Sequence, residues 1–329
     1  MNKTCAAIIA VLLAGLALPA RAQVKAGGYL SFEYLKGQAE SSTPHGKIEN
    51  LLAGFLAGGA LADGKFGFAV EARARGVSSF DLVQAWAAYL PSKVINVRAG
   101  LFLVPFGRWN RASRPHEALL IQTPLNIEYL YPAYWRELGL LVEGEIGVLN
   151  FAAYIGNGLA EADEPWTGQQ FTDNNTDKAK GGRIGLALGP AIQAGVSYYI
   201  GKYDELNMRD LILEGADLSW VTQLWEVHAE YTKAFLENPQ PFERGTSEGF
   251  AVWTTMNFRG FQAVGSYQQV QYLDGYHGGG IELDRNRWTA GLRWVINATV
   301  FIKAEYAWNG EKGIVLKDNQ FQAQLGLSF

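Results

Sequence analysis

The chain has 329 residues, 18% of them charged, a formal net charge of −4 and one cysteine. That balance offers no basic surface for nucleic acid. A lone Cys5 excludes disulfides, thiolate metal centres and haem attachment through Cys-x-x-Cys-His.

Residues 1–22 have the layout of an export signal. Lys3 supplies the positive start, Ile8 to Leu18 the short apolar run, and Ala20-Arg21-Ala22 the small-x-small cleavage pattern. Cleavage near Ala22 removes Cys5, and the loss of Lys3 and Arg21 takes the net charge from −4 to −6. Residues 23–329 are expected to form one domain. They contain no linker, no plug segment and no apolar run of spanning-helix length.

Sixteen alternating segments follow in order: 25–36, 47–60, 64–75, 81–90, 93–103, 135–144, 147–156, 180–188, 191–201, 211–220, 223–234, 248–258, 261–272, 285–296, 298–308 and 318–329. Their connections alternate between short and long. Pro91-Ser92, Gly189-Pro190, Val221-Thr222 and Arg259-Gly260 are short; 104–134, 157–179, 202–210, 235–247, 273–284 and 309–317 are long. Tight turns at one end and long loops at the other describe a membrane barrel. The expected fold is therefore all-β: a transmembrane antiparallel β-barrel of about 16 strands.

Face patterns say which side meets lipid. In 285–296, Trp288, Ala290, Leu292 and Trp294 oppose Arg287, Thr289, Gly291 and Arg293. In 298–308, Val300, Ile302, Ala304, Tyr306 and Trp308 oppose Lys303 and Glu305. In 64–75, Phe66, Phe68 and Val70 oppose Glu71, Arg73 and Arg75. In the final strand, Phe321, Ala323, Leu325, Leu327 and Phe329 oppose Gln320, Gln322 and Gln324. A charge on the lipid face costs about 2–4 kcal/mol near the midplane, so charges are expected inside. The predicted inward cations are Arg73, Arg75, Arg98, Arg183, Arg287, Arg293 and Lys303. The predicted inward acids are Glu33, Glu71, Glu137, Glu143, Glu226, Glu230 and Glu305. Trp288, Trp308, Tyr306, Tyr89 and Tyr34 fit interfacial girdles.

The longest connection, 104–134, carries Arg108, Arg111, Arg114 and His116 beside Glu117 and Glu128, and is stiffened by Pro105, Pro115, Pro124 and Pro132. Around it stand VRAGLFLVPFGRWN, YWRELGLLVEGE, NFAAYIGNGL and GGRIGLALGPAIQAGVSYYIGKYD. Over residues 84 to 235 the chain resembles the phosphate-selective porin O/P family and related Gram-negative outer-membrane porins. The terminal Phe329 likewise resembles the sorting signal of such barrels. The resemblance implies a third loop folded into the pore, a homotrimer, and outer-membrane lipid and lipopolysaccharide as surroundings. Segment 104–134 holds no lysine, a departure from the constriction lysines of that family.

If the loop folds inward, Arg108, Arg111 and Arg114 meet the permeant, and their guanidinium forks suit phosphate or carboxylate oxygens. The alternative at this stage is that they pair with Glu117, Glu128 and lumen acids. The acidic loop 157–179 (Glu161, Asp163, Glu164, Asp173, Asp177) reads as a solvated mouth. His45, His116, His228 and His277 lack metal-ligand spacing, and Gly278-Gly279-Gly280 precedes no helix. No catalytic residue, metal or cofactor is expected. The expected function is passive diffusion of small hydrophilic solutes across a Gram-negative outer membrane, with an anion preference, phosphate or other oxyanions included. The rivals are a barrel sheathing a periplasmic redox or secretion partner and a barrel enzyme.

Overall fold

The computed structural model describes residues 23–329 except 62–63, 77, 93, 163–166, 243 and 275–283. The export signal, Asp163, Glu164, His277 and Gly278-Gly279-Gly280 lie outside the described residues. Sixteen strands run in chain order: β1 (Gln23–Gly37), β2 (Lys47–Ala60), β3 (Phe66–Arg75), β4 (Ser79–Tyr89), β5 (Ile95–Leu103), β6 (Arg136–Ile146), β7 (Leu149–Gly156) and β8 (Ala179–Leu188). The second half is β9 (Ile192–Lys202), β10 (Asp210–Val221), β11 (Trp225–Leu236), β12 (Gly245–Phe258), β13 (Phe261–Asp274), β14 (Arg285–Val295), β15 (Val300–Glu311) and β16 (Gln320–Ser328).

Each strand pairs antiparallel with its chain neighbours, and β1 pairs with β16 to close the barrel. Closure leaves no sheet edge, so the backbone polar groups of the wall are satisfied within it. The seam runs from Tyr29 opposite Ser328 to Gly37 opposite Gln320, and Gly28 and Phe329 exchange backbone hydrogen bonds of 2.8 and 2.9 Å. Gly100 on β5 has φ +125°, and a Cβ there would overlap the Ala85 carbonyl oxygen of β4. Only glycine lets these two strands close at that point.

The alternation orders the two faces. On β14, Trp288, Leu292 and Trp294 are exposed while Arg287 and Thr289 are buried. At the short-turn end, Phe66, Tyr89, Trp220, Trp225, Phe258, Phe261 and Trp294 face outward; nearer the long-loop end stand Tyr34, Tyr198, Trp288 and Trp308. These two belts flank an apolar band, the pattern of a barrel in lipid. One outward row departs from the rule that charges point in. Glu214, Lys233 and Glu248 are direct cross-strand neighbours on β10, β11 and β12, and the Tyr231 hydroxyl donates to Glu248 at 2.7 Å. Opposite charges in register offset each other's desolvation.

The interior differs more. Besides charged groups, the inward positions of β9 to β12 include Tyr199, Leu211, Leu213, Ala234, Ala251 and Trp253, all buried. They meet Phe106, Trp109, Leu119, Leu120, Leu125, Ile127, Leu130 and Tyr131 from the connection between β5 and β6. That connection, 104–135 (L3), includes a 3₁₀ turn (Trp109–Arg111) and a short helix, α1 (Leu125–Leu130), with Pro124 as its N-cap. Apolar wall residues therefore face inward without meeting water, because L3 covers them.

Candidate functional site: the third loop and the cavities beside it

L3 is held by wall side chains that reach its backbone. The Glu230 carboxylate on β11 accepts from the backbone N–H groups of Arg108 and Trp109 at 2.7 and 2.6 Å. Glu305 on β15 accepts from the Ile121 N–H at 3.0 Å, and Gln268 on β13 from the Leu125 N–H at 3.1 Å. Lys303 donates to the carbonyls of Pro115 and Ala118, both at 2.8 Å, and Arg293 to the carbonyl of His116 at 2.8 Å. These anchors come from β11, β13, β14 and β15, while other loop contacts reach β3, β6 and β9. One segment can touch inward side chains on so many sides only from within the barrel. Several wall groups thus satisfy loop N–H and C=O groups that would otherwise be buried without partners.

The loop arginines are paired. Arg108 donates to Gln193 on β9 at 2.5 Å. Arg111 pairs with Glu143 on β6 at 2.8 Å, and Arg98 binds the same carboxylate. Arg114 grips Glu71 on β3 through Nε and Nη2, at 3.0 and 2.7 Å, and also reaches Glu117. Burial works against charge on Arg114, but the bonds to Glu71 and Glu117 prevail and hold its guanidinium above the usual value. Burial pushes the neighbouring His116 imidazole down; Glu117 opposes this, while Arg114, Lys303 and Arg293 add to it. Of the two readings open from sequence, the paired one describes these side chains: Arg111 and Arg114 bind lumen acids and Arg108 binds Gln193, each at its own point on the wall.

The predicted lumen cations also divide. Arg73 and Lys303 are sealed, each 1% exposed, rather than lining open space. Arg287 is buried against Glu128 and the Thr123 carbonyl of L3. Arg183 makes a two-pronged pair with Asp217 at 2.8 and 2.7 Å and donates to Asn150. Arg293 bonds Gln262 at 3.2 Å besides its loop carbonyl. Arg75 and Arg98 remain partly open, Arg75 at 46%. Covered cations arise where L3 lies on the wall, which strand periodicity alone does not register.

Two cavities flank the loop. One, of about 710 Å³, opens toward the long-loop end and is lined by Glu33, Asn50, Arg75, Gln122, Glu128 and Tyr134 among others. The second, of about 450 Å³, lies toward the short-turn end with Asn96, Arg111, Glu143, Asn150, Arg183 and Gln193 on its walls. Both bear both signs of charge, the first beside apolar side chains such as Leu51 and Ile121. Residues not singled out as site candidates from sequence are Asp81, Tyr134 and Arg136. The available signal was Arg136 inside YWRELGLLVEGE.

No family model matches the chain. An uncharacterized protein of Aquifex aeolicus (strain VF5) is 22% identical over 200 residues, which are 57% of this chain and 46% of that protein. The chain thus spans about half the length of the curated relative it matches. Among solved structures, Salmonella typhi OmpF in complex with daunomycin aligns with a TM-score of 0.71 at 13% identity, covering 94% of this chain and 98% of that one. The outer-membrane channel DcaP of Acinetobacter baumannii aligns at 0.68 and 12%, covering 94% and 98%. An anion-selective porin from Comamonas acidovorans aligns at 0.67 and 12%, covering 93% and 99%. At these identities the likeness is one of fold, and it shows a closed sixteen-stranded barrel of the kind Gram-negative outer-membrane porins have.

Proposed function

We propose that the chain is an outer-membrane diffusion channel for small hydrophilic solutes, exported by its N-terminal signal and oriented with its long loops outward. The observation that carries this reading is the pair of charged, polar cavities on either side of L3 inside a lipid-faced barrel. Solute passes along the β3–β6 wall, by the pairs Arg114–Glu71 and Arg111–Glu143. Rings of charge are how such pores select, and here the signs are mixed. The preference is therefore mild and anionic rather than specific for phosphate, and it is carried by the open guanidiniums of Arg75 and Arg111. In a KCl gradient across a planar bilayer, the reversal potential should lie on the anion side but far below the ideal anion value. A cation-side potential would contradict this.

A barrel that sheaths a partner needs an unobstructed lumen, and the L3 core counts against that role. Catalysis and cofactors have no part in the reading.

The reading includes a homotrimer embedded in outer-membrane lipid and lipopolysaccharide. Support for it lies on the outer wall. Among the described residues, exposed Trp and Tyr fall on β9 to β15 and β1, with Tyr89 alone on β2 to β8. Trp and Tyr concentrate at the lipid interface, so the sector where they are sparse, β2 to β8, is the face given to neighbouring subunits. A fluorophore on cysteine replacing Ala87 (β4) should be shielded from brominated lipid, and one replacing Ala290 (β14) quenched. Equal quenching would remove this support.

A further inference from the structure

L3 and the strands β3, β4 and β6 bring three guanidiniums together around one carboxylate at the long-loop end. Asp81 on β4 lies 3.8 Å from Arg73 and 3.3 Å from Arg75. The charged groups facing Arg136 of β6 are the same Asp81, Arg73 and Arg75. The other nearby acid, Glu71, is already occupied by Arg114, which Glu117 also binds. The corner therefore holds two positive charges beyond what its carboxylate offsets. Its hydrogen bonding is incomplete as well. Among the described residues, Nε and Nη2 of Arg73 and Nε of Arg136 are buried without an acceptor. Unmet N–H donors on buried cations are costly and invite an anionic acceptor.

The cluster has an open side. Arg73 stacks on the Tyr134 ring at 3.9 Å from its centroid, and Arg75 on the same ring at 5.0 Å. Arg75 and Tyr134 both line the 710 Å³ cavity, where Arg75 is the exposed member. Arg136 is held from behind by the Leu82 carbonyl at 2.8 Å and by the Phe171 ring. Two guanidiniums stacked on one tyrosine and a third fixed behind them form a preorganised cationic corner.

We propose that Arg75, Arg73, Arg136 and Tyr134 form an oxyanion-binding site at the long-loop mouth, which takes the carboxylate or phosphate of a small solute before it passes the Arg114–Glu71 and Arg111–Glu143 pairs. Arg75 makes the contact, Arg73 and Arg136 supply the field, and Asp81 competes with the ligand. The site rests on the channel reading for its place on a transport path, while its ligand chemistry stands on this cluster.

Equilibrium dialysis of the detergent-folded full chain against radiolabelled succinate, and separately against inorganic phosphate, tests the site without needing a current. Binding of either anion is expected, and the stronger of the two identifies the oxyanion preferred. Arg75→Gln, at an exposed side chain, should weaken it about tenfold, the loss of one charge-assisted contact. Arg136→Gln should weaken it as well, and Asp81→Asn should tighten it. Heat-modifiable migration in a detergent gel checks that each variant is folded. Failure of the wild-type chain to bind either anion, or an unchanged affinity in folded Arg75→Gln, would overturn the site. Binding retained by a chain that carries no current would overturn the channel reading and leave the site standing.

Discussion

Replacing Glu143 with glutamine should make the pore clearly anion-selective. This carboxylate is shared by Arg98 on the wall and Arg111 on L3, and it lines the short-turn cavity. Glutamine keeps the shape and an acceptor but removes the charge that offsets both cations. A unit charge at contact distance is worth about 1 kcal/mol even in water, which is about fivefold in ion occupancy. The reversal potential in a KCl gradient should move toward the anion limit by the equivalent of about that factor. The reverse change, Arg111→Gln, should move it toward cations, because Glu143 then faces Arg98 alone. No shift in either variant would mean that permeant ions do not pass this cavity.

Glu230→Ala should loosen the first arm of L3. One carboxylate oxygen accepts both the Arg108 and the Trp109 N–H, and the residue is 3% exposed. Alanine leaves two buried donors without acceptors, at about 1–3 kcal/mol each. The loss falls where the loop enters the lumen, so the barrel wall should persist. Single-channel records should show larger, noisier openings, and protease should cut within 104–135, where the wild-type chain resists. Glu230→Gln, which retains an acceptor, should lie between the two. Wild-type conductance and protease resistance in folded Glu230→Ala would show that the loop is held by its apolar packing alone.

The barrel was legible because its signal is local. The period-two alternation in 285–296 requires nothing beyond twelve consecutive residues, and the turns at Pro91-Ser92 and Gly189-Pro190 announce themselves by residue type. The strand edges found lie within three residues of those read from the pattern, and 47–60 matches β2 end to end. The path of L3 was less legible. Leu211 and Leu213 alternate like lipid-facing residues, and only the covering loop shows that they point inward. Helix α1 has six residues and is apolar on several sides because wall and loop enclose it, so it carries no amphipathic stripe. The partners of the loop arginines lie far off in sequence. Arg114 meets Glu71, 43 residues away, and the Arg108 backbone meets Glu230, 122 residues away. Charge pairing across a lumen is a property of the closed barrel. The same holds for the corner of Arg73, Arg75 and Arg136, which two strands remote in sequence, β3 and β6, bring together.

In the proposed channel, a water-filled passage continues past L3 through the closed barrel. Single-channel recording of the refolded mature chain in a planar bilayer tests it most directly. Discrete, ohmic conductance steps are expected, which succinate or phosphate added on the long-loop side alters. A folded, heat-modifiable barrel that inserts and gives no conductance above the bare bilayer would contradict it.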